Sequence, residues 1–110
     1  MSITVNLRYT GKNGSAKAFA EEMTSSGTVS AIRKEQGNLR YEYYVSLDDP
    51  ETVLLIDEWT DQAAIDRHHA SPMMRTIAQL REKYDLHMTV QRYRSDEDSM
   101  PDSDVKFIRE

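Results

Sequence analysis

The segment Thr52–Trp59, TVLLIDEW, limits the fold more tightly than any other stretch of the chain. Its consecutive apolar residues, Val53 to Ile56, point alternately to the two sides of any strand they form, so both faces of the sheet must be hidden from water there. The other strand-like segments alternate in the ordinary half-buried way. Ile3, Val5, Leu7 and Tyr9 interleave with Thr4, Asn6, Arg8 and Thr10, the two-residue period of a first strand. In NLRYEYYVSL, Leu39, Tyr41, Tyr43 and Val45 share one face and Arg40, Glu42 and Tyr44 the other. The following DDPE reads as a turn, because Asp side chains bond nearby backbone amides and Pro presets φ, and it makes a hairpin with TVLLIDEW. A last strand is read at DLHMTVQRYR, with Leu86, Met88 and Val90 facing one way and His87, Thr89 and Gln91 the other.

Helical spacing fills the gaps. Ser15 is expected to cap a helix whose Ala16, Phe19, Ala20 and Met23 lie on one face. A break or kink is expected in TSSGTVS, residues 24–30, where Gly27 costs about 1 kcal/mol relative to Ala and the hydroxyls compete for backbone groups. The helix then resumes through Ile32 and stops at Gly37. After Trp59, Thr60 or Asp61 caps a short helix, and Ser71 with Pro72 opens another, carrying Met73, Ile77, Leu80 and Tyr84 on one stripe. Strand, helix, strand, strand, helix, strand is the order of a ferredoxin-like α+β fold, an antiparallel sheet with helices on one face. The second face of TVLLIDEW then needs a separate cover. A second copy's sheet would supply it, gaining about 25 cal/mol per Å² of apolar surface removed from water; a homodimer joined sheet to sheet is expected, unless the chain's own tail covers that face.

One domain is expected at this length, running from residue 1 to 94. Residues 95–110 form an acidic C-terminal tail, SDEDSMPDSD followed by VKFIRE, too poor in apolar groups at first to hold a fold. Val105, Phe107 and Ile108 at its end either dock on a partner subunit or fray. Lys and Arg number 14 against 19 Asp and Glu, a net charge of -5, which repels a phosphate backbone and argues against a nucleic-acid partner. There is no cysteine, hence no disulfide, thiolate metal site or cysteine nucleophile. MSITVNLRYT has no apolar run of the secretory kind, and no segment approaches the roughly 20 apolar residues a bilayer needs, so a cytoplasmic protein with no membrane contact is expected. Neither a glycine-rich phosphate loop nor a serine-nucleophile motif is present.

The run EQGNLRYEYYVSLDDPETVLLIDEWTDQAAIDRHHASPMM resembles the antibiotic biosynthesis monooxygenase domain, the cofactor-free quinol monooxygenase group of dimeric α+β barrel proteins. Glu35, Gly37, Leu39, Arg40 and Tyr41, then Asp48, Asp49 and Pro50, then Glu58 and Trp59, then Ala64, His68, Ser71 and Pro72 carry the likeness in order. It implies a ferredoxin-like dimer that oxidises a small quinol or polycyclic phenol with O2, without metal or organic cofactor. A sister branch sharing GNLR and the histidine isomerises a small phosphorylated signal molecule, and would need basic residues at the cavity, with Arg40 and Arg67 nearest. A non-catalytic dimer binding a small aromatic ligand is the third reading. Relatives that degrade haem carry a ligating histidine on the helix that here runs from Met73 to Tyr84, which has none.

Quinol oxidation needs an apolar pocket, a base for a phenolic proton and donors for the developing oxyanion. His68 is the candidate base, since an imidazole of ordinary pKa near 6.5 accepts a proton around neutrality; it sits beside the inward stripe of its helix, next to Ala64 and Ile65. His69 diverges from it by about 100°, which rules out a shared metal ion of the i, i+4 kind and leaves His69 at the pocket edge or dimer rim. Many relatives carry a second histidine where this chain has Met73. Trp59 either walls an aromatic pocket or closes the end of the sheet. Tyr41 and Tyr43 either line the cavity or pack in the sheet. Asn6 and Asn38 are candidate oxyanion donors, since the Asn that some members place four residues before the Trp is Leu55 here.

Overall fold

A computed structural model describes residues 1–110. The main elements are β1 (Ile3–Thr10), α1 (Ser15–Ser25), α2 (Thr28–Arg33), β2 (Asn38–Val45), β3 (Thr52–Trp59), α3 (Gln62–His69), α4 (Met73–Lys83) and β4 (His87–Arg94). One sheet contains all four strands in the order β2-β3-β1-β4, with every neighbouring pair antiparallel. This is the ferredoxin-like α+β architecture expected from the strand and helix periods, with the helices packed on one face of the sheet.

Register decides what each face carries. Ile3, Val5, Leu7 and Tyr9 of β1 stand opposite Trp59, Asp57, Leu55 and Val53 of β3, and all of these face the helices. The core forms there, where Phe19 and Met23 of α1, Val29 and Ile32 of α2, Ile65 of α3 and Ile77 of α4 are buried against the sheet. The helix that begins near Ser15 does break, and Gly27 at φ 84° starts α2 in a left-handed conformation that suits glycine. Two caps differ from expectation. Gly14 takes the cap of α1 while Ser15 accepts a bond from the Lys12 amide at 2.9 Å, and Pro72 rather than Ser71 precedes the first turn of α4. Asp61 caps α3 as read, accepting from the Ala64 amide at 2.9 Å.

Two strands are less covered than their alternation implies. β2 carries a bulge between Asn38 and Arg40, which leaves Leu39 exposed. β4 lies at the sheet edge beside β1 alone, so its inward residues Met88 and Val90 remain 43% and 49% exposed. Beyond Arg94 the chain makes a 3-10 turn at Glu97–Ser99 and a one-turn helix α5 (Asp102–Val105), with no buried residue from Asp96 to Glu110. The radius of gyration, 15.5 Å, exceeds the roughly 13 Å of a compact domain this long, as a projecting tail requires. No helix is long and apolar enough to cross a membrane.

Candidate active site

Between the helix-facing side of the sheet and helices α3 and α4 lies a cavity of about 230 Å³. Val5, Leu7 and Leu55 form its floor, Ile65, Met74 and Ile77 its roof, and Met88 and Val90 of the edge strand its side. The lining is mainly apolar with a few convergent polar groups, the usual make-up of a small-molecule site.

His68 is 5% exposed and lines this cavity. Helical geometry explains why: Ala64, Ile65 and His68 occupy the buried side of α3 while Asp66, Arg67 and His69 are exposed. Its ring lies on the Trp59 indole, 4.7 Å between centroids and 32° between planes. Nδ1 is 2.7 Å from Glu35 Oε2. A carboxylate can only accept, so Nδ1 carries the hydrogen and donates it, and the neutral ring keeps its basic lone pair on Nε2. Burial lowers the His68 pKa, while the hydrogen bond and charge of Glu35 oppose the fall. The imidazole is thus held neutral at neutral pH, in one tautomer and one orientation, the condition of a ready base.

Glu35 reaches His68 from the loop before β2, and Gly37 makes that approach possible. Gly37 has φ 88°, its carbonyl accepts from the Thr60 amide at 2.9 Å, and an added Cβ would come within 2.6 Å of the Ala64 Cβ. Loop and helix start are therefore in direct contact at the residue where a side chain is missing. The expected helix stop at Gly37 falls four residues past the actual end of α2 at Arg33, and the close approach of this glycine to α3 was not readable from the sequence.

Asp57 is the second polar group of the cavity that sequence reading passed over. It is 7% exposed, lies between Leu55 and Trp59 on the inward side of β3, and its Oδ1 has no hydrogen-bond partner. Burial pushes its pKa up to about 7, with Trp59 and Arg81 pulling the other way. The signal for it was present: Val53, Leu55, Asp57 and Trp59 follow a two-residue period, so an acid stands in an apolar series. Arg81 of α4 also lines the cavity and gives two hydrogen bonds to the Tyr9 hydroxyl, at 2.8 and 3.2 Å. It follows Ile77 by one helical turn, so its place on the inner stripe was legible too.

The expected site residues divide. His68, Trp59, Tyr41 and His69 line the cavity, His69 as an exposed residue at its margin with its ring 5.8 Å from that of His68. Tyr43 does not: its ring packs edge-on against Phe19 and Tyr41, and it borders a separate open groove beside α1. Asn6 alternates with Val5 and Leu7, so it points from the opposite face of the sheet, with Ile56 and Gln91 as its neighbours in register. Asn38 bonds the carbonyls of Arg40 and Glu58 at 3.2 and 3.4 Å and lies outside the cavity lining. Neither Asn lines this cavity. Arg40 and Arg67 are exposed and do not reach it, whereas Arg81 and Arg92 do.

The fold and site define a ferredoxin-like protein with an oriented imidazole above an apolar cavity. Residues 2–80 match the antibiotic biosynthesis monooxygenase family, and the chain belongs to that family. Among solved structures, a conserved protein from Methanosarcina mazei Go1 shares 25% identity, with 87% of this chain and 94% of that one covered at a TM-score of 0.75. Protein SO0527 from Shewanella oneidensis shares 26% identity over 84% and 88% of the two chains, TM-score 0.69. A mutant of SnoaB, a cofactor-independent oxygenase from Streptomyces nogalater, is 19% identical over 86% and 92%, TM-score 0.72, a likeness of fold alone. No curated protein sequence matches the chain.

Proposed function

We propose that this protein is a cofactor-independent monooxygenase acting on a small quinol or phenol, with His68 as the base. The observation that carries this reading is the Glu35–His68 pair, in which the buried imidazole has its Nδ1 engaged and its ring facing an apolar cavity. A substrate hydroxyl gives its proton to Nε2, and the electron-rich anion is the reductant of O2. One oxygen atom ends on the ring and the other leaves as water, so a quinol and O2 become a hydroxyquinone and H2O. The apolar wall keeps bulk water from the anion and strengthens each hydrogen bond made to it. The volume, about 230 Å³, compares with roughly 150 Å³ for a cavity that holds benzene, which favours one or two rings over a tetracyclic skeleton.

The protein acts as a homodimer in this proposal. Leu54 and Ile56 on the bare face of β3, with the exposed Tyr44 beside Leu54 and Tyr93 farther across the same face on β4, form the surface that a second sheet would cover. The exposed Val105, Phe107 and Ile108 give the tail an apolar end that can join the same assembly.

Oxygen uptake with 1,4-dihydroxynaphthalene and with anthrone tests the reaction. Uptake by the wild type that is lost in His68→Ala, with the fold retained, is the expected result. Equal uptake by both proteins would remove His68 from the chemistry. The two arginines at the cavity, Arg81 and Arg92, favour one second reading, the isomerase of a phosphorylated substrate; absence of uptake together with inorganic phosphate binding that Arg92→Ala abolishes would select it.

A further inference from the structure

We propose that Asp57 is a substrate-binding residue whose carboxyl O–H donates to the oxygen at the far end of a conjugated arene with an oxygen at each end. The near hydroxyl of that arene gives its proton to His68. The assignment rests on the quinol reading and names the half of the site that reading leaves open. Once the near proton is gone, negative charge delocalises through the ring to the far oxygen, and a donor there stabilises the anion.

The geometry supports this role. Asp57 and Trp59 are two residues apart on one strand face, about 7 Å along β3, and His68 stacks on Trp59. The two proton-handling groups therefore lie on either side of the Trp59 position in one wall of the site. Both border the same cavity. A buried carboxyl with a structural role is paired, because an unpaired one costs several kcal/mol, roughly, to take from water. Asp57 makes no ion pair; the Trp59 indole hydrogen-bonds to its carboxyl, while its Oδ1 has no protein partner. Arg81, the cation of α4 at this cavity, hydrogen-bonds the Tyr9 hydroxyl and forms no ion pair with Asp57. Such a group is explained if the missing partner is the ligand.

Burial favours the neutral form of this carboxyl against the opposing pull of Trp59 and Arg81. Tyr41 faces it from β2 and Tyr9 and Val5 from β1; His68 and His69 lie above on α3, Arg81 on α4, and Arg92 on β4. Glu35, behind His68, adds negative charge that favours the protonated acid, and burial does so more strongly. An apolar site that keeps a carboxylic acid neutral turns it into a hydrogen-bond donor.

A product analogue tests the assignment without turnover. The probe is 2-hydroxy-1,4-naphthoquinone, whose oxygens share one negative charge from about pH 6 to about pH 8. Its binding to the full-length protein is followed by calorimetry, and the Asp57 carboxyl is titrated by 13C NMR in the same samples. Wild-type affinity is expected to fall about tenfold between those pH values as the carboxyl ionises, and in Asp57→Asn, which keeps a donor and cannot ionise, to change less than about twofold. Asp57→Leu, of similar size and without a donor, is expected to bind at least about tenfold more weakly at about pH 6, the loss of a single hydrogen bond to a charged oxygen. The same pH profile in wild type and Asp57→Asn, or no binding by wild type, overturns the assignment. Quinol oxidation that depends on His68 with no pH effect from Asp57→Asn would overturn the role of Asp57 and leave the enzymatic reading intact. Binding that depends on Asp57 without oxidation would do the reverse.

Discussion

Strand β3 shows two faces with opposite fates. On one, Val53, Leu55, Asp57 and Trp59 are buried beneath the chain's own helices; on the other, Leu54, Ile56 and Glu58 are only half-buried, with the exposed Tyr44 and Tyr93 nearby. The covered face is not filled. It keeps a hollow with an imidazole and a carboxyl in its wall. The open face is apolar at its centre but has no cavity chemistry, and Asn6 on that face has a buried Oδ1 without a partner. A single strand can thus hold a reaction site on one side and an assembly surface on the other, because successive side chains point in opposite directions.

Substitutions that strike one face and spare the other test this division. The largest effect is expected on the covered face: His68→Ala should lower kcat/KM for a quinol about a thousandfold, near 4 kcal/mol of transition-state stabilisation, while the far-UV spectrum and cooperative melting persist. Loss of melting would mean that the ring is chiefly a packing group.

Next is the pH dependence of stability. The Asp57 carboxyl binds its proton more tightly in the folded chain, with a pKa of about 7 against an ordinary value near 4. Its contribution is present below that ordinary value and is lost as pH rises through about 7. Asp57→Asn should therefore gain on the order of 3 kcal/mol over wild type at about pH 8 and little near pH 4 in urea unfolding. A constant difference across that range would contradict a carboxyl buried without an ion pair. His68 acts in the other direction: its folded pKa is depressed, so stability present above about 6.5 is lost as pH falls below it.

Leu54→Lys combined with Ile56→Lys strikes the open face alone. It should weaken self-association at least about thirtyfold, about 2 kcal/mol, in sedimentation experiments, with the cavity chemistry of the folded protomer unchanged. An unaltered association constant would remove this face as the dimer surface. The smallest effect is expected from ending the chain after Ser95, which should change protomer stability by less than about 0.5 kcal/mol, since no residue beyond it is buried. A larger change that depends on protein concentration would instead place the apolar end of the tail in the assembly.

Much of this organisation is legible in the chain. The strand period names the inward residues of β1 correctly, the apolar run of β3 shows that both its faces need cover, and the spacing of Ala64, Ile65 and His68 puts the imidazole on the covered side of α3. The same parity rule places Asn6 on the opposite side from Val5 and Leu7, and applied strictly it excludes Asn6 from the cavity and admits Asp57. Tyr43 shares the parity of Tyr41 but lies one residue pair nearer α1, where Phe19 fills the space around it. That difference depends on where a helix sits, which no strand pattern reports.

Local spacing by itself determined the order of elements, the antiparallel sheet and which side of each element is apolar, because these follow from the backbone periods of nearby residues. Only the tertiary structure decided that Glu35 would bond a histidine 33 positions away, that Gly37 would lie against Ala64, and that Arg81 would be occupied by Tyr9. Those pairings depend on how far separate segments approach one another, to within an ångström, and that distance is a product of packing the whole domain.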